Sequence, residues 1–124
     1  MSIRSHNVIL MCVGGPTEAF SASKPMKEFL GRLKSIDLSG KFAFAFDTKL
    51  DSRLSGSAAK FIEKELSDLG FQLLAPRETA IVFSLRERGA ITGARLKEGE
   101  EERFEKIGRE VGTTLAAKGS VVPA

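Results

Sequence analysis

Asn7-Val8-Ile9-Leu10-Met11-Cys12-Val13 is followed directly by Gly14-Gly15-Pro16-Thr17-Glu18. Side chains from Val8 to Val13 are apolar at odd and even positions alike, so a strand here would have no face suited to water. That is the pattern of a strand buried on both sides, as in a parallel sheet, and the glycine pair ends it. A parallel strand needs a long crossover to its neighbour, so the next elements should be a helix and then a second strand.

They follow in that order. Ser23 precedes Pro25, and Met26, Phe29, Leu30 and Leu33 recur at spacings of three and four, which predicts an amphipathic helix with a serine cap, ending near Ser35. After Gly40, Phe42-Ala43-Phe44-Ala45-Phe46 places large side chains on one face and alanines on the other. This predicts a second buried strand whose alanine face lies close under a helix. Beyond a polar loop, Ala58, Ala59, Ile62, Leu66 and Leu69 form a second stripe, giving a helix over 56–69 closed by Gly70.

Phe71 to Leu74 and Ala80 to Phe83 flank Ala75-Pro76-Arg77-Glu78, and one strand bent at the proline is preferred over two strands. A last helix begins at Glu98, with Phe104, Ile107, Val111 and Leu115 on one face. Glu98, Glu100, Glu101 and Glu102 suit its dipole and read as a solvated helix start. Residues 118–124 read as a loose tail. The alternation predicts an α/β three-layer sandwich, with a parallel sheet of three to four strands and three helices.

A chain of 124 residues is the size of one domain, here residues 1–124 with a core over about 7–117. At 42% hydrophobic and 28% charged, its composition is that of a folded globular protein. Val8 to Val13 is too short an apolar run for a membrane span or a signal-peptide core, so a cytoplasmic protein is expected. One cysteine, Cys12, and one histidine, His6, make neither a disulfide nor a usual zinc site. A net charge of +3, dispersed along the chain, argues against nucleic-acid binding.

Two loops leave the carboxyl ends of the first two strands, where open α/β sheets place ligands. The first, Gly14 to Ser23, offers glycines for close backbone approach and Phe20 as a flat apolar face; an ordinary turn with Phe20 capping the core is the plainer reading. The second, Asp47 to Ser57, ends in Ser55-Gly56-Ser57, where a helix start could hold an anion near Lys60, although helix capping by Ser55 explains the same residues. No Gly-x-Ser-x-Gly, Walker loop or His-Glu-x-x-His occurs, and no residue stands out as an acid, base, nucleophile or metal ligand.

Taken in order, Val8–Val13 with Gly14-Gly15-Pro16-Thr17-Glu18-Ala19-Phe20-Ser21, then Phe44-Ala45-Phe46-Asp47-Thr48-Lys49, Ser55-Gly56-Ser57-Ala58-Ala59-Lys60 and Leu96-Lys97-Glu98-Gly99-Glu100, resemble the flavodoxin family from about Val8 to Leu115. The resemblance implies a flavodoxin-like domain that carries flavin mononucleotide (FMN) at the carboxyl ends of its strands and transfers electrons. It implies cofactor contacts from Pro16, Thr17, Glu18, Ala19, Phe20 and Ser21 on one side, and from Phe46, Asp47, Thr48, Lys49, Leu50 and Gly56 on the other. Phe20 and Leu50 would pack against the ring.

The match begins at the family's third strand, and the serine- and threonine-rich phosphate loop that follows the family's first strand has no counterpart here. Trp and Tyr are absent from the chain, and Glu18 adds negative charge beside a cofactor whose reduced form is anionic, so weak FMN binding or none is expected. The alternative is a non-catalytic interaction or oligomerisation module that has lost flavin. A third reading places the phosphate loop upstream of Met1. The missing strands would leave Val8–Val13 with an open edge, which implies a homodimer or larger assembly, or a companion chain that covers it; a redox partner protein is also implied.

Overall fold

The computed structural model describes residues 10–18, 21–50 and 56–119. In chain order the elements are β1 (Leu10–Glu18), β2 (Ser21–Ala22), α1 (Lys24–Arg32) with a 3₁₀ turn over Leu33–Ser35, β3 (Phe42–Leu50), α2 (Ala58–Asp68), β4 (Gln72–Leu73), β5 (Glu78–Glu87), β6 (Ala90–Leu96) and α3 (Glu100–Gly119). β1 and β3 pair in parallel from Leu10↔Phe42 to Pro16↔Thr48. The other side of β3 is filled twice in parallel, by β4 at Phe42↔Gln72 and by β5 from Phe46↔Glu78 to Leu50↔Val82.

The expected single strand bent at Pro76 is therefore two strands in one slot. Leu74 still donates to the Ala43 carbonyl at 2.9 Å, but Pro76 has no N–H for the ladder and the chain lifts away before β5 resumes it. β6 is an addition to the predicted elements. It returns antiparallel to β5 through a two-residue turn, Arg88 and Gly89, both at positive φ (54° and 82°). That is the geometry that matches strand twist, reached here without the usual Asn-Gly signal. The sheet is thus parallel at its centre, with β6 antiparallel at one edge and short β2 antiparallel at the other, in the order β2-β1-β3-β5-β6.

Side-chain alternation along β3 separates the two faces. Ala43 and Ala45 are buried under α2, whose Ala58, Ala59, Ile62 and Leu66 are fully buried in return, as the small-residue face predicts. Val13, Leu30, Leu33 and Phe71 complete this core, with α1 on the same side. On the opposite face Phe44 packs with Leu74 and Val111, joined by Phe42, Phe46, Ile107 and Leu115.

Helix ends follow local chemistry. Ser23 accepts from the Met26 N–H at the α1 start, with Pro25 in the first turn. At the α2 end Gly70 (φ 99°) donates to Ser67 and Phe71 to Leu66, a Schellman closure that needs the left-handed residue the sequence supplies. α3 starts at Glu100, and it continues through Gly119 past the point where the tail was expected; Lys118 lies 5.6 Å from the centre of the Phe42 ring. No helix among the described residues is long and apolar enough to cross a membrane.

Candidate functional site

β1 and β3 run in the same direction, so their carboxyl ends lie side by side. β1 does not stop at the glycine pair. It runs to Glu18 and folds back on itself, pairing Glu18 with Ser21 and Thr17 with Ala22. β3 likewise continues to Leu50. Gly14 is required within this extended strand, because a Cβ there would lie only 2.1 Å from the Phe46 ring. The glycines that read as a strand terminator in fact serve close packing inside it.

Asp47 organises the junction. It is fully buried, and its Oδ2 accepts from Thr17 Oγ1 (3.0 Å), Ser57 Oγ (3.0 Å) and the Ala59 N–H (2.9 Å). Thr17 Oγ1 in turn accepts from the Ala58 N–H (2.9 Å), and Ser57 Oγ from the Lys60 N–H (3.2 Å). The first N–H groups of α2 are thus all engaged by side chains from β1, β3 and the cap itself. The anion reading of this helix start is set aside on that ground; capping explains it, with Ser57 as the cap. Ser55 lies outside the described residues. Asp47 Oδ1 is buried with no hydrogen-bond partner.

The other residues named from the resemblance fall in distinct places. Pro16 and Glu18 are exposed, Ser21, Thr48 and Lys49 half-buried, and Leu50 is 48% exposed at the end of β3. Gly56, at φ 68°, leads into α2. Ala19 and Phe20 lie outside the described residues. Strand alternation puts Pro16, Thr48 and Leu50 on the Phe46 side of the sheet, and Thr17, Asp47 and Lys49 on the α2 side. Phe46 itself points inward. Its ring lies over Gly14 and sits 6.1 Å from that of Phe44 and 6.3 Å from that of Phe104, so it belongs to the packing under α3. Asp47 is a structural cap with no accessible surface. Among the described residues, what the fold brings to the rim is Pro16–Glu18 and Ser21 with Thr48–Leu50 and Gly56.

The rim fits one part of a flavin better than the other. Exposed Pro16 and Leu50 beside Thr48 offer apolar surface to a flat ring, whereas the helix-start amides that could have cradled a phosphate are already taken.

Elsewhere, a groove of about 310 Å³ opens between α3 and β1, with Leu10, Cys12, Phe44 and Phe46 on the sheet and Ile107 and Val111 on the helix. Cys12 is exposed on the strand, and partial burial of its thiol pushes the pKa up, which makes it a poor nucleophile at neutral pH.

One cluster contradicts the sequence reading. Glu100 is buried, accepting from the Ile81 N–H (2.8 Å) and from Arg103 Nε (2.8 Å), while Arg103 also donates to Glu78 (3.0 Å) and to the Thr79 carbonyl. The acidic run is therefore not wholly solvated; its second carboxylate, Glu100, fastens α3 to β5. The signal available in the sequence was Glu100 followed three residues later by Arg103, a pair that shares one helix face.

A parallel sheet core with helices on both faces, whose β1 and β3 end side by side at its carboxyl edge, is a flavodoxin-like α/β sandwich. Solved structures agree. A flavodoxin from the domain Archaea superposes with a TM-score of 0.67 over 92% of this chain and 72% of its own, at 15% identity. The rubredoxin:oxygen oxidoreductase of the anaerobe Desulfovibrio gigas superposes with a TM-score of 0.64 over 89% of this chain, which spans 24% of that protein, at 18% identity. At such identities the likeness is one of fold. No protein-family model and no curated protein sequence matches the chain.

Proposed function

We propose that this chain is a cytoplasmic flavodoxin-like electron-transfer protein that holds FMN by its isoalloxazine ring at the rim between Pro16–Ser21 and Thr48–Gly56. The observation that carries the reading is the Asp47 network. It ties the ends of two parallel strands and the start of α2 into one junction at the carboxyl edge of the sheet, the edge where open α/β sheets place ligands. When bound, the flavin supplies the redox chemistry. The chain's own part is to bury one side of the ring, with Pro16, Leu50 and Phe20 as the apolar contacts, and to set local charge. Glu18 beside the ring disfavours its anionic reduced form.

Because the α2 amides are engaged, ring burial supplies most of the affinity. Titration of the protein into FMN and into riboflavin, followed by quenching of flavin fluorescence, tests this directly. The two ligands are expected to bind within about twofold of each other, since the phosphate adds little. Phe20→Ala should weaken both more than Lys60→Ala does. Absence of quenching at millimolar protein overturns the flavin reading, and FMN binding about tenfold tighter than riboflavin overturns the assignment of affinity to the ring.

A second reading, an assembly module without cofactor, draws support from the outer edge of β1 over Leu10–Pro16, which no strand among the described residues covers.

A further inference from the structure

β5 outruns the strand beside it. Its pairing with β3 ends at Leu50↔Val82, and from Phe83 to Glu87 it is held, among the described residues, by β6 alone. At about 3.3 Å per residue, this two-stranded arm reaches roughly 16 Å past the end of β3. No helix covers it among the described residues: every residue of β6 is exposed, and α2 packs over β1, β3 and β4. Exposed large apolar side chains gather here, with Phe83, Leu85, Ile91 and Leu96 on the arm and only Leu50 and Leu73 elsewhere among the described residues. Such a concentration marks a contact surface.

Strand alternation sorts the arm into two faces. The pairs Lys49↔Ile81 and Phe83↔Arg95 put Lys49, Ile81, Phe83, Leu85 and Arg95 on the α2 side of the sheet, and Val82↔Leu96 puts Leu96 on the other. On the α2 side, Ile81, Phe83 and Leu85 form an apolar stripe with a cation on each flank. Gly93, opposite Leu85, adds no side chain and leaves that end open. Phe83 is 36% and Leu85 42% exposed, and neither Lys49 nor Arg95 is in an ion pair among the described residues.

We propose that this face takes an acidic segment of another protein, whose apolar side chains pack on Phe83 and Leu85 and whose carboxylates pair with Lys49 and Arg95. Charge selects the occupant. Between Thr79 and Leu96 the sequence carries Arg86, Arg88 and Arg95 against Glu87 alone, and Glu87 stands at the turn. A second copy brought face to face by a two-fold axis would set Lys49 and Arg95 against cations. A bilayer is disfavoured by the turn itself, since Arg86-Glu87-Arg88-Gly89 would have to enter the hydrocarbon first. A phosphate backbone would satisfy the cations but offer Phe83 and Leu85 nothing apolar. Carboxylates interspersed with apolar side chains match both parts of the face. The patch is far smaller than the roughly 20–30 residues a side of a stable interface, so the complex is transient.

The chain has no Trp and no Tyr, so the tyrosine emission of a random glutamate–tyrosine copolymer reports binding without a label. Flavin has no part in this contact; the flavin-free full chain is used, and FMN binding at the rim is measured separately. The copolymer is expected to bind at about 10–100 µM, and more weakly in high salt. Polyglutamate of equal length, added as competitor, should bind at least about fivefold more weakly. Arg95→Glu, at an exposed position, should weaken the copolymer about tenfold, and Phe83→Ser about fivefold. Leu96→Ser, on the opposite face of the same arm, should change it by less than about twofold. No binding at about 1 mM protein, or equal losses in Arg95→Glu and Leu96→Ser, overturns the proposal. So does tighter binding to phosphatidylserine vesicles or to duplex DNA than to the copolymer, or self-association of the parent that Arg95→Glu abolishes. Should Phe83→Ser not fold, polyglutamate competing as well as the copolymer itself overturns the apolar half of the contact.

Discussion

A carboxylate with no accessible surface carries a desolvation penalty, and at Asp47 three donors and the start of α2 offset it. Removing the acceptor leaves Thr17, Ser57 and the Ala59 N–H short of a partner, so Asp47→Ala should destabilise the chain by about 2–4 kcal/mol in urea denaturation. Asp47→Asn keeps an oxygen acceptor but loses the charge, and should cost about 1 kcal/mol. Equal losses for the two variants would assign the effect to the charge alone. Glu100 provides the pH-dependent counterpart. Hydrogen bonds from Arg103, opposed by burial and helped by the Ile81 N–H, hold its carboxyl below the ordinary value of 4.5. A lowered folded pKa means that its contribution is complete above the ordinary value and is lost as pH falls through the folded one. Stability measured from pH 6 down to about pH 3 should therefore fall less steeply in Glu100→Gln than in the parent. Asp47 was singled out in the sequence for its position after the second strand, but its role was hidden, because Thr17 is brought to it by the parallel pairing of β1 and β3 and Ser57 by the packing of the α2 start against the sheet.

Periodicity made most elements readable. α1 and α2 carry full apolar stripes with serine caps, and the Phe/Ala alternation of β3 marks its alanine face as the one lying close under a helix. β6 left no such trace, since all its residues are exposed and no face selects apolar side chains. The extension of β1 through Gly14 and Gly15 was hidden for a different reason: glycine marks both turns and close approaches, and only the position of Phe46 separates the two. That ambiguity can be tested. If Gly14 is there for packing, Gly14→Ala should cost about 1–3 kcal/mol by forcing the Phe46 ring aside. Combining it with Phe46→Leu should then cost less than the sum of the two single changes, read as a double-mutant cycle in denaturant. Strict additivity would mean that the two residues do not meet.

For the molecule as a whole, the sequence pointed to an open side of β1 through what was missing from the resemblance; over Leu10–Pro16 that edge carries no charged side chain and is met by no strand among the described residues, whereas the opposite edge of the sheet carries Arg95 and a break in register. If two copies close that edge, folding and association are linked, and stability must depend on concentration. For a dimer that unfolds to separate chains, each tenfold rise in concentration adds about 1.4 kcal/mol per dimer, or about 0.7 per chain. With an unfolding entropy of about 2 cal/mol/K per residue, a chain of 124 residues should gain about 3 °C in Tm for each such step. Cys12→Lys should melt at one temperature whatever its concentration, converging on the parent only at high dilution. Ligand linkage gives an independent check on the same curves. Flavin at the carboxyl rim should raise the melting temperature of parent and variant by similar amounts, because the ring contact proposed for Leu50 lies at the end of β3, away from the stretch Leu10–Gly15 of β1 that a second copy would cover. A flavin-induced shift present only in the parent would mean that the second copy completes the rim.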